Sequence, residues 1–321
     1  KDIEKYSNEI NQVERDFTIF NSKVINKILK VYNDKVDIIG FHGQTIFHDS
    51  KSKISEQLGN GQLLSQLTKK IVVNKFRQKD LDNGGQGAPL TPIFHKLISQ
   101  LIDKKYNLNF PISIINIGGI TNITHIVNSD NISTNNVFAY DIAPGNCLID
   151  EWVQKNSKDF FDKNGNVARS GNTNDLILNQ ALENFTITNF QSSLDIKNFD
   201  ISFVKGLSFE DGCATLTEFS AKLIVNGIES INKQHNSFPE LYLICGGGRR
   251  NSFLMDSIKK NLANKEVELK KIDDYEFNGD FTESQAFGYL SIRRYLNLPI
   301  SFPNTTRCKN PTTGGNINKN F

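Results

Sequence analysis

Glycine turns that follow apolar runs are the features of this sequence whose residue types could do chemistry. Gly118 and Gly119 separate two β-rich runs within residues 112–126, and the apolar run 241–245 leads into three glycines at 246–248 ahead of a helical pattern. Backbone amides at such turns and at helix N-termini can bind phosphate without a charged side chain. Each turn taken singly is better explained as a tight structural corner, but two of them in one chain favour a nucleotide site.

Neither turn carries a common nucleotide fingerprint. The chain contains no GxxxxGK[ST] segment, which excludes a P-loop, and the Gly-Gly-Gly-Arg-Arg-Asn segment at 246–251 departs from the dinucleotide pattern GxGxxG. Arg249 and Arg250, directly after the second turn, have the pattern of a solvated face, with contact to a phosphate as the alternative.

Asp141 is the candidate general base. It follows an apolar run and precedes Pro-Gly-Asn at 144–146, where a carboxylate can be held within reach of a hydroxyl or a water. The alternative is a helix N-cap or a turn former. His42 and His48 lie six residues apart and match no common zinc spacing, so no metal ligand is assigned. His95, in a helical pattern, is interpreted as a packing or loop-orienting residue.

A glycine-rich stretch at 82–92 is a further candidate site, because glycines let a backbone approach a ligand closely. A domain hinge explains the same composition equally well.

The elements that must position these residues alternate between helix and strand. Helical spacing at 6–32 is followed by an apolar run at 36–41, a helical segment at 62–69 and a second parallel-type strand at 71–76. Further helices are predicted over 93–102, 147–153 and 253–262, each after a loop or glycine turn. The pattern predicts an α/β chain of two lobes, with a boundary near residue 111.

Composition excludes several classes of protein. The 37 basic and 35 acidic residues leave a net charge of +2, which gives no global field for nucleic acid. Four cysteines without a CxxC pair indicate buried, reduced thiols rather than a disulfide framework. No run has the length of a transmembrane helix, and residues 1–8 match neither a signal peptide nor the start of a core.

In this order, the motifs resemble the anhydro-N-acetylmuramic acid kinase family over nearly the whole chain. The residues that carry the resemblance are His42-Gly43-Gln44-Thr45, the Gly-Gly-Gln-Gly-Ala-Pro-Leu segment at 84–90, Asn-Ile-Gly-Gly-Ile-Thr-Asn at 116–122, Asp141 with Pro-Gly-Asn at 144–146, Asp-Glu-Trp at 150–152, Ala-Thr-Leu-Thr at 214–217, Cys-Gly-Gly-Gly at 245–248 with Asn251, and Glu-Ser-Gln-Ala-Phe at 283–287.

The resemblance implies a two-lobed, actin-like ATPase fold of the ribonuclease H-like type, with ATP in the cleft between the lobes. Residues 1–111 would form an N-terminal lobe that is incomplete at its start, and residues 112–321 a C-terminal lobe. Asp141 matches the family's catalytic base. The implied ATP-binding residues are Asn116, Gly118, Gly119, Asn122, Gly246, Gly247, Gly248 and Asn251. The residues implied to lie close to the sugar are His42, Gln44, Gly85, Gln86, Gly87, Ala88, Pro89 and Glu283.

The implied reaction is phosphorylation of 1,6-anhydro-N-acetylmuramic acid by ATP and Mg²⁺, with hydrolytic opening of the anhydro ring to N-acetylmuramic acid 6-phosphate. Its role would be peptidoglycan recycling in a bacterial cytoplasm. The implied partner is a small-molecule amino sugar, with no nucleic acid and no membrane, and a homodimer is left open.

The sequence departs from the family at two places. Residues 141–146 read Asp-Ile-Ala-Pro-Gly-Asn where the family has Asp-Thr-Gly-Pro-Gly-Asn, and nothing in 1–35 matches the family's opening Gly-Thr-Ser-x-Asp-Gly phosphate loop. We expect that loop to precede Lys1 in the whole protein. The alternative is a non-catalytic sugar- or nucleotide-binding kinase remnant. A different sugar or acetate kinase of the same fold is disfavoured, because HGQT and GGQGAPL are not general features of that fold.

Overall fold

Contacts between residues divide the chain into two units, residues 1–94 with 283–321, and residues 95–282. The computed structural model describes residues 6–32, 36–129, 135–185, 194, 196–262 and 267–321. The boundary near residue 111 predicted from the sequence falls inside the second unit, because the helix that precedes it already packs there: the His95 Nδ1 atom lies 2.7 Å from the Thr124 hydroxyl.

The first unit contains a three-stranded sheet and a separate hairpin. Its elements are α1 (Ser7–Tyr32), β1 (Ile38–Gly40), β2 (Gln44–Asp49), β3 (Ile54–Leu58), α2 (Gly61–Thr68), β4 (Ile71–Asn74), α3 (Gln78–Asp82), the start of α4 (Pro92–Tyr106), most of α10 (Thr282–Tyr295), α11 (Pro303–Thr306) and β10 (Asn316–Asn318). The strand order in the sheet is β1-β4-β10, and β2 pairs with β3 in the hairpin.

The predicted strand, helix, strand succession of the first unit is confirmed. β1 and β4 are parallel, with Ile39 opposite Val72, and α2 between them begins at a cap in which the Asn60 side chain accepts from the Leu63 amide. The hairpin is a difference from the prediction. The sequence places Gln44 in a polar loop, but in the structure it is the first residue of β2. The strand is not predicted from the sequence because its residues alternate too weakly in hydrophobicity.

The second unit is built on a mixed five-stranded sheet. Its elements are β5 (Ile112–Ile117), β6 (Ile120–Ile126), β7 (Val137–Pro144), α5 (Cys147–Asn156), α6 (Asn166–Ser170), α7 (Asp175–Asn184), α8 (Phe209–His235), β8 (Leu241–Cys245), α9 (Ser252–Leu262) and β9 (Glu268–Lys271), together with most of α4. The strand order is β7-β6-β5-β8-β9, and β5 pairs antiparallel with β6 and parallel with β8, so the predicted hairpin at 112–126 and the predicted strand at 241–245 are confirmed.

One face of this sheet packs on α8, a helix of 27 residues. Ile115, Ile123 and Tyr140 belong to the same buried cluster as the inner face of α8. The backbone of α8 comes close to β7 at Gly227, where a Cβ atom would lie 2.6 Å from the Ile142 Cβ. The packed sheet and helices confirm the predicted α/β class.

The four cysteines are buried and free, as predicted. Within the described ranges, no helix combines the length and apolar character needed to cross a lipid bilayer.

Candidate functional site

A row of polar side chains crosses one face of the five-stranded sheet in the second unit. Strand register places Cys245 beside Asn116, Asn116 beside Asn122, and Asn122 beside Asp141. The Cys245 Sγ donates to Asn116 Oδ1 at 3.7 Å. The Asn122 Oδ1 atom is buried and has no hydrogen-bond partner among the described residues. The sheet therefore brings the predicted base into line with two of the predicted ATP-binding residues.

Asp141 lies within β7, at a bulge that leaves Ile142 without an opposite residue. The Leu194 amide donates to its Oδ2 atom at 3.0 Å. The alternative assignment of Asp141 as a helix cap is wrong, since α5 begins after Asn146. A β-bulge is a common means of directing a side chain at the end of a strand, which suits a carboxylate with a chemical role.

The Gly118-Gly119 turn is held by the loop that follows Asp141. The amides of Gly145 and Cys147 donate to the Gly119 carbonyl at 2.8 and 3.2 Å, and the Asn146 amide donates to the Gly118 carbonyl at 2.8 Å. The Gly118 amide donates to the Ile120 carbonyl at 3.2 Å. The turn is thus a fixed platform built on the same two segments that carry Asn122 and Asp141.

The glycines around this platform fall into two groups. At Gly145, Gly246 and Gly248 a Cβ atom would lie 2.2–2.4 Å from Gly118, Asn116 and Ile117 respectively, so the fold itself excludes a side chain. At Gly118, Gly119 and Gly247 the nearest atoms would lie 3.5, 3.7 and 4.0 Å from a Cβ atom. These last three glycines have φ outside the left-handed range, and packing among the residues that the structure describes does not require them.

This division makes a testable prediction for ATP binding. Gly119→Ala should retain wild-type stability, because its methyl group meets only ordinary van der Waals contacts, and should weaken ATP affinity about tenfold or more by blocking close approach of phosphate. Gly248→Ala is the matched control and should lower the free energy of unfolding by about 1–3 kcal/mol through overpacking against Ile117. Calorimetry and thermal melts measure the two effects. Unchanged ATP affinity in Gly119→Ala would remove the turn as a phosphate element.

The segment 246–251 is fixed by Arg249, which is buried rather than solvated. Its guanidinium donates to both carboxylate oxygens of Asp273, at 2.7 and 3.0 Å, to Asp280 at 2.8 Å and to the Gly246 carbonyl at 2.9 Å. These bonds hold the pKa of Asp273 below its usual range. The prediction of a solvated face is therefore wrong for Arg249, while Arg250 is exposed and pairs with Asp280.

A cavity of about 540 Å³ opens beside this segment. Burial, with the Asp162 carboxylate as a smaller cause, raises the pKa of Asp150 in its wall to about 6. Asn251 also lines it, and its Oδ1 accepts from the Leu254 amide at 3.0 Å to cap α9. The cavity is lined by Asn146, Ile149, Asp150, Gln154, Phe160, Phe161, Asp162, Lys163, Asn164, Gly247, Arg250, Asn251 and Asp280.

The residues predicted to lie close to the sugar fall in the first unit, and three of their motifs meet there. The His42 ring lies 4.4 Å from that of Phe287, which belongs to the Glu-Ser-Gln-Ala-Phe motif. The Nε and a terminal nitrogen of Arg77 lie 3.1 and 3.0 Å from His42 Nε2, and Arg77 donates to the Gly87 carbonyl at 2.7 Å. The His42 turn, the Gly87 loop and the start of α10 are thereby brought together.

His42 is a neutral histidine with both ring nitrogens in hydrogen bonds. Its Nδ1 donates to the Gly43 carbonyl at 2.8 Å, which leaves Nε2 to accept from Arg77. Burial, followed by the Arg77 charge, lowers the pKa of His42 to about 4. Its predicted contact with the sugar stays a prediction.

The other predicted sugar residues lie in the same loop or at the starts of β2 and α10. The Gln86 amide donates to the Thr306 carbonyl at 2.7 Å, and a Cβ atom at Gly85 would lie 2.2 Å from Asp80. The Ala88-Pro89 peptide bond is cis. Gln44 and Glu283 are exposed at the starts of β2 and α10.

Comparison with known proteins decides the family. A family profile described as "Anhydro-N-acetylmuramic acid kinase" matches residues 4–320. The chain belongs to this kinase family. This membership agrees with the actin-like ATPase fold that the motifs imply.

Several relatives in this kinase family cover most of the chain. The anhydro-N-acetylmuramic acid kinase of Pelagibacter ubique is 49% identical over an alignment of 324 positions, which covers 100% of this chain and 84% of that relative. The proteins of the same name from Zymomonas mobilis and Brucella canis are 37% and 33% identical, over 96% and 95% of this chain and 81% and 80% of theirs.

Two solved structures show weaker similarity. The activator of 2-hydroxyisocaproyl-CoA dehydratase from Clostridium difficile with bound ADPNP has a TM-score of 0.37 at 14% identity, covering 63% of this chain and 67% of its own. The (R)-2-hydroxyglutaryl-CoA dehydratase component A of Acidaminococcus fermentans has a TM-score of 0.38 at 14% identity, covering 72% and 74%.

Sequence reasoning missed three residues that support the kinase motifs. Arg77, Asp80 and Thr306 hold the loop at 84–90, and none belongs to a motif on which the resemblance rests. The available signal was an arginine and an aspartate three residues apart, directly before a glycine-rich segment. Thr306 gave no signal, since it lies 226 positions from its partner Asp80.

Proposed function

We propose that this chain phosphorylates 1,6-anhydro-N-acetylmuramic acid with ATP. The observation that carries the proposal is the match of one kinase family to residues 4–320. The relatives at 49% and 37% identity are named for this kinase. The open glycine turn and the polar row around Asp141 supply, in the second unit, the kinds of groups that such a reaction needs.

ATP is the proposed phosphoryl donor. Its phosphates would lie against Gly118 and Gly119, where close backbone approach costs the fold nothing, and its nucleoside against Gly247 and Asn251 in the neighbouring cavity. Mg²⁺ is proposed to enter with the nucleotide. Such an ion would take most of its ligands from phosphates and water. Among the described residues no three His, Cys, Asp or Glu side chains are grouped to hold a metal ion.

Asp141 is proposed as the general base. It would accept a proton from a water whose oxygen bonds to the anomeric carbon while the bond between that carbon and O6 breaks. The electron pair left on O6 attacks the γ-phosphorus of ATP, and ADP leaves. The products are N-acetylmuramic acid 6-phosphate and ADP, with the water proton on Asp141 until it passes to solvent.

The reaction proposed here would serve peptidoglycan recycling in a bacterial cytoplasm. The amino sugar is its small-molecule partner. The residues proposed to bind the sugar are His42, Gln44, those at 85–89 and Glu283. The HGQT and GGQGAPL motifs that hold all of these except Glu283 are not general features of the wider fold.

Product analysis tests the proposal. The protein expressed from the full coding sequence is incubated with ATP, Mg²⁺ and the anhydro sugar in ¹⁸O-water. We expect a sugar 6-phosphate by phosphorus NMR and one ¹⁸O atom at the anomeric carbon by mass spectrometry. A sugar phosphate without ¹⁸O would contradict hydrolytic opening, and binding of the sugar without any product would favour a non-catalytic binding protein.

A further inference from the structure

The backbone of Gly87 is held at its amide and at its carbonyl by two residues of opposite charge. The Arg77 guanidinium donates to the Gly87 carbonyl at 2.7 Å, and the Gly87 amide donates to Asp80 Oδ2 at 2.7 Å. Gly87 has a φ of +71°, a conformation that other residues rarely adopt. The two charged groups thus hold the loop at a glycine whose backbone conformation other residues rarely adopt.

Each of the two charges is itself anchored. Asp80 is 1% exposed, and its Oδ1 accepts from the Thr306 hydroxyl at 2.6 Å. The carboxylate also occupies the space beside Gly85, where a Cβ atom would lie 2.2 Å from Oδ2. Arg77 reaches His42 Nε2 with its remaining nitrogens, at 3.0 and 3.1 Å.

We infer that Arg77 and Asp80 are positioning residues that set the conformation of the 84–89 loop and its register with the His42 turn for binding of the amino sugar. This inference rests on the proposed function, since the sugar is the ligand assigned to the loop. The two residues act through Gly87 and His42 and need not touch the sugar.

The chemistry of the two groups explains why a lysine cannot replace Arg77 and a neutral amide cannot replace Asp80. Arg77 serves a carbonyl and a ring nitrogen at once, which requires the planar fork of a guanidinium, and a lysine ammonium offers no such geometry. Asp80 accepts one bond at each carboxylate oxygen, and an amide in its place would present a donor to the Gly87 amide or to the Thr306 hydroxyl.

Steady-state kinetics on Arg77→Lys and Asp80→Asn test the inference, with Lys79→Gln as the matched control from the same helix. We expect the KM for the anhydro sugar to rise about 10- to 100-fold in both variants, the range for losing hydrogen bonds to charged groups. The KM for ATP should stay within about twofold of the wild-type value, because ATP is assigned to other residues. Lys79→Gln should match the wild type in both KM values.

The outcomes separate the inference from the proposed function. An unchanged sugar KM in folded Arg77→Lys overturns the inference, as does an equal rise of both KM values, which a general loss of structure would give. If Asp80→Asn does not fold, Arg77→Lys decides alone. If the wild type makes no sugar phosphate, the proposed function fails. Calorimetric titration with the anhydro sugar then judges the inference, which requires weaker binding by Arg77→Lys than by Lys79→Gln.

Discussion

Asp141→Asn is expected to reduce turnover of the anhydro sugar by about 10²–10⁴-fold while ATP affinity stays within about twofold of the wild-type value. An amide keeps the size of the carboxylate but cannot accept the proton of the attacking water. The amide oxygen can still accept from the Leu194 amide, which donates to Oδ2 at 3.0 Å in the wild type. The loss should therefore come from the chemistry rather than from the position of the side chain.

Single-turnover phosphate transfer, followed together with ATP titration, measures both quantities. The control is Glu151→Gln, which removes an acidic group that pairs with Lys155 one turn away on α5, at 2.5 Å, and should retain wild-type rates. Turnover of Asp141→Asn near the wild-type rate would remove Asp141 as the base. A parallel loss of ATP affinity would assign Asp141 to nucleotide binding instead.

The sequence predicted the elements around the site well, because their signals are local. The hairpin at 112–126 is visible in two β-rich runs separated by a Gly-Gly pair, and the strand at 241–245 ends at an unmistakable glycine turn. What these patterns cannot give is the register between strands. That Asn116, Asn122 and Asp141 share one row depends on pairing across three strands and on a bulge at Ile142.

The missed burial of charged residues has one physical origin, which is contact between residues far apart in the chain. Arg249 has the local pattern of a surface residue, but Asp273 and Asp280 supply the partners that allow it to be buried. Asp80 similarly owes its burial to Thr306 and to the loop amides. The local pattern of residue types does not indicate such distant partners. A charged side chain that is buried in the fold is therefore predicted to be exposed.

The glycines show how structure sharpens a motif. In the sequence all the glycines of the two turns are equivalent candidates for phosphate binding. In the structure Asn116 and Ile117 require glycine at 246 and 248, whereas none of the described residues closely approaches the Cβ positions of Gly118, Gly119 and Gly247. A motif thus contains residues that maintain the fold and residues that are available to a ligand, and only the second group is informative about binding.

Acid should destabilise the second unit through its buried histidines. His95 is 1% exposed, and burial lowers the pKa of its ring to about 4 from an ordinary value of 6.5. Burial, together with the charge of His235, lowers the pKa of His125 to about 4. Because these groups bind protons more tightly in the unfolded chain, their stabilising contribution is complete above about pH 6.5 and is lost as the pH falls towards 4.

Denaturant unfolding across this pH range measures the effect. Each titrating histidine contributes a slope of up to about 1.4 kcal/mol per pH unit between its two pKa values. His95→Asn removes the titrating ring while keeping a polar group near Thr124. It should reduce the slope of the unfolding free energy against pH by the contribution of one histidine. Thr124→Val is the matched control. It removes the hydroxyl 2.7 Å from His95 Nδ1 and should lower stability by about 1 kcal/mol at every pH without flattening the slope.

The two variants distinguish titration from packing, because only loss of the ring changes the number of protons taken up on unfolding. A stability curve for His95→Asn that runs parallel to the wild-type curve between pH 6.5 and 4 would show that His95 does not titrate on unfolding. Thr124, the partner of His95, lies two residues along β6 from Asn122, which pairs with Asp141, so protonation of His95 would also disturb the packing near the proposed base. In the wild type, activity should then fall in the same pH range as stability. In His95→Asn, the pH range over which activity falls should be narrower.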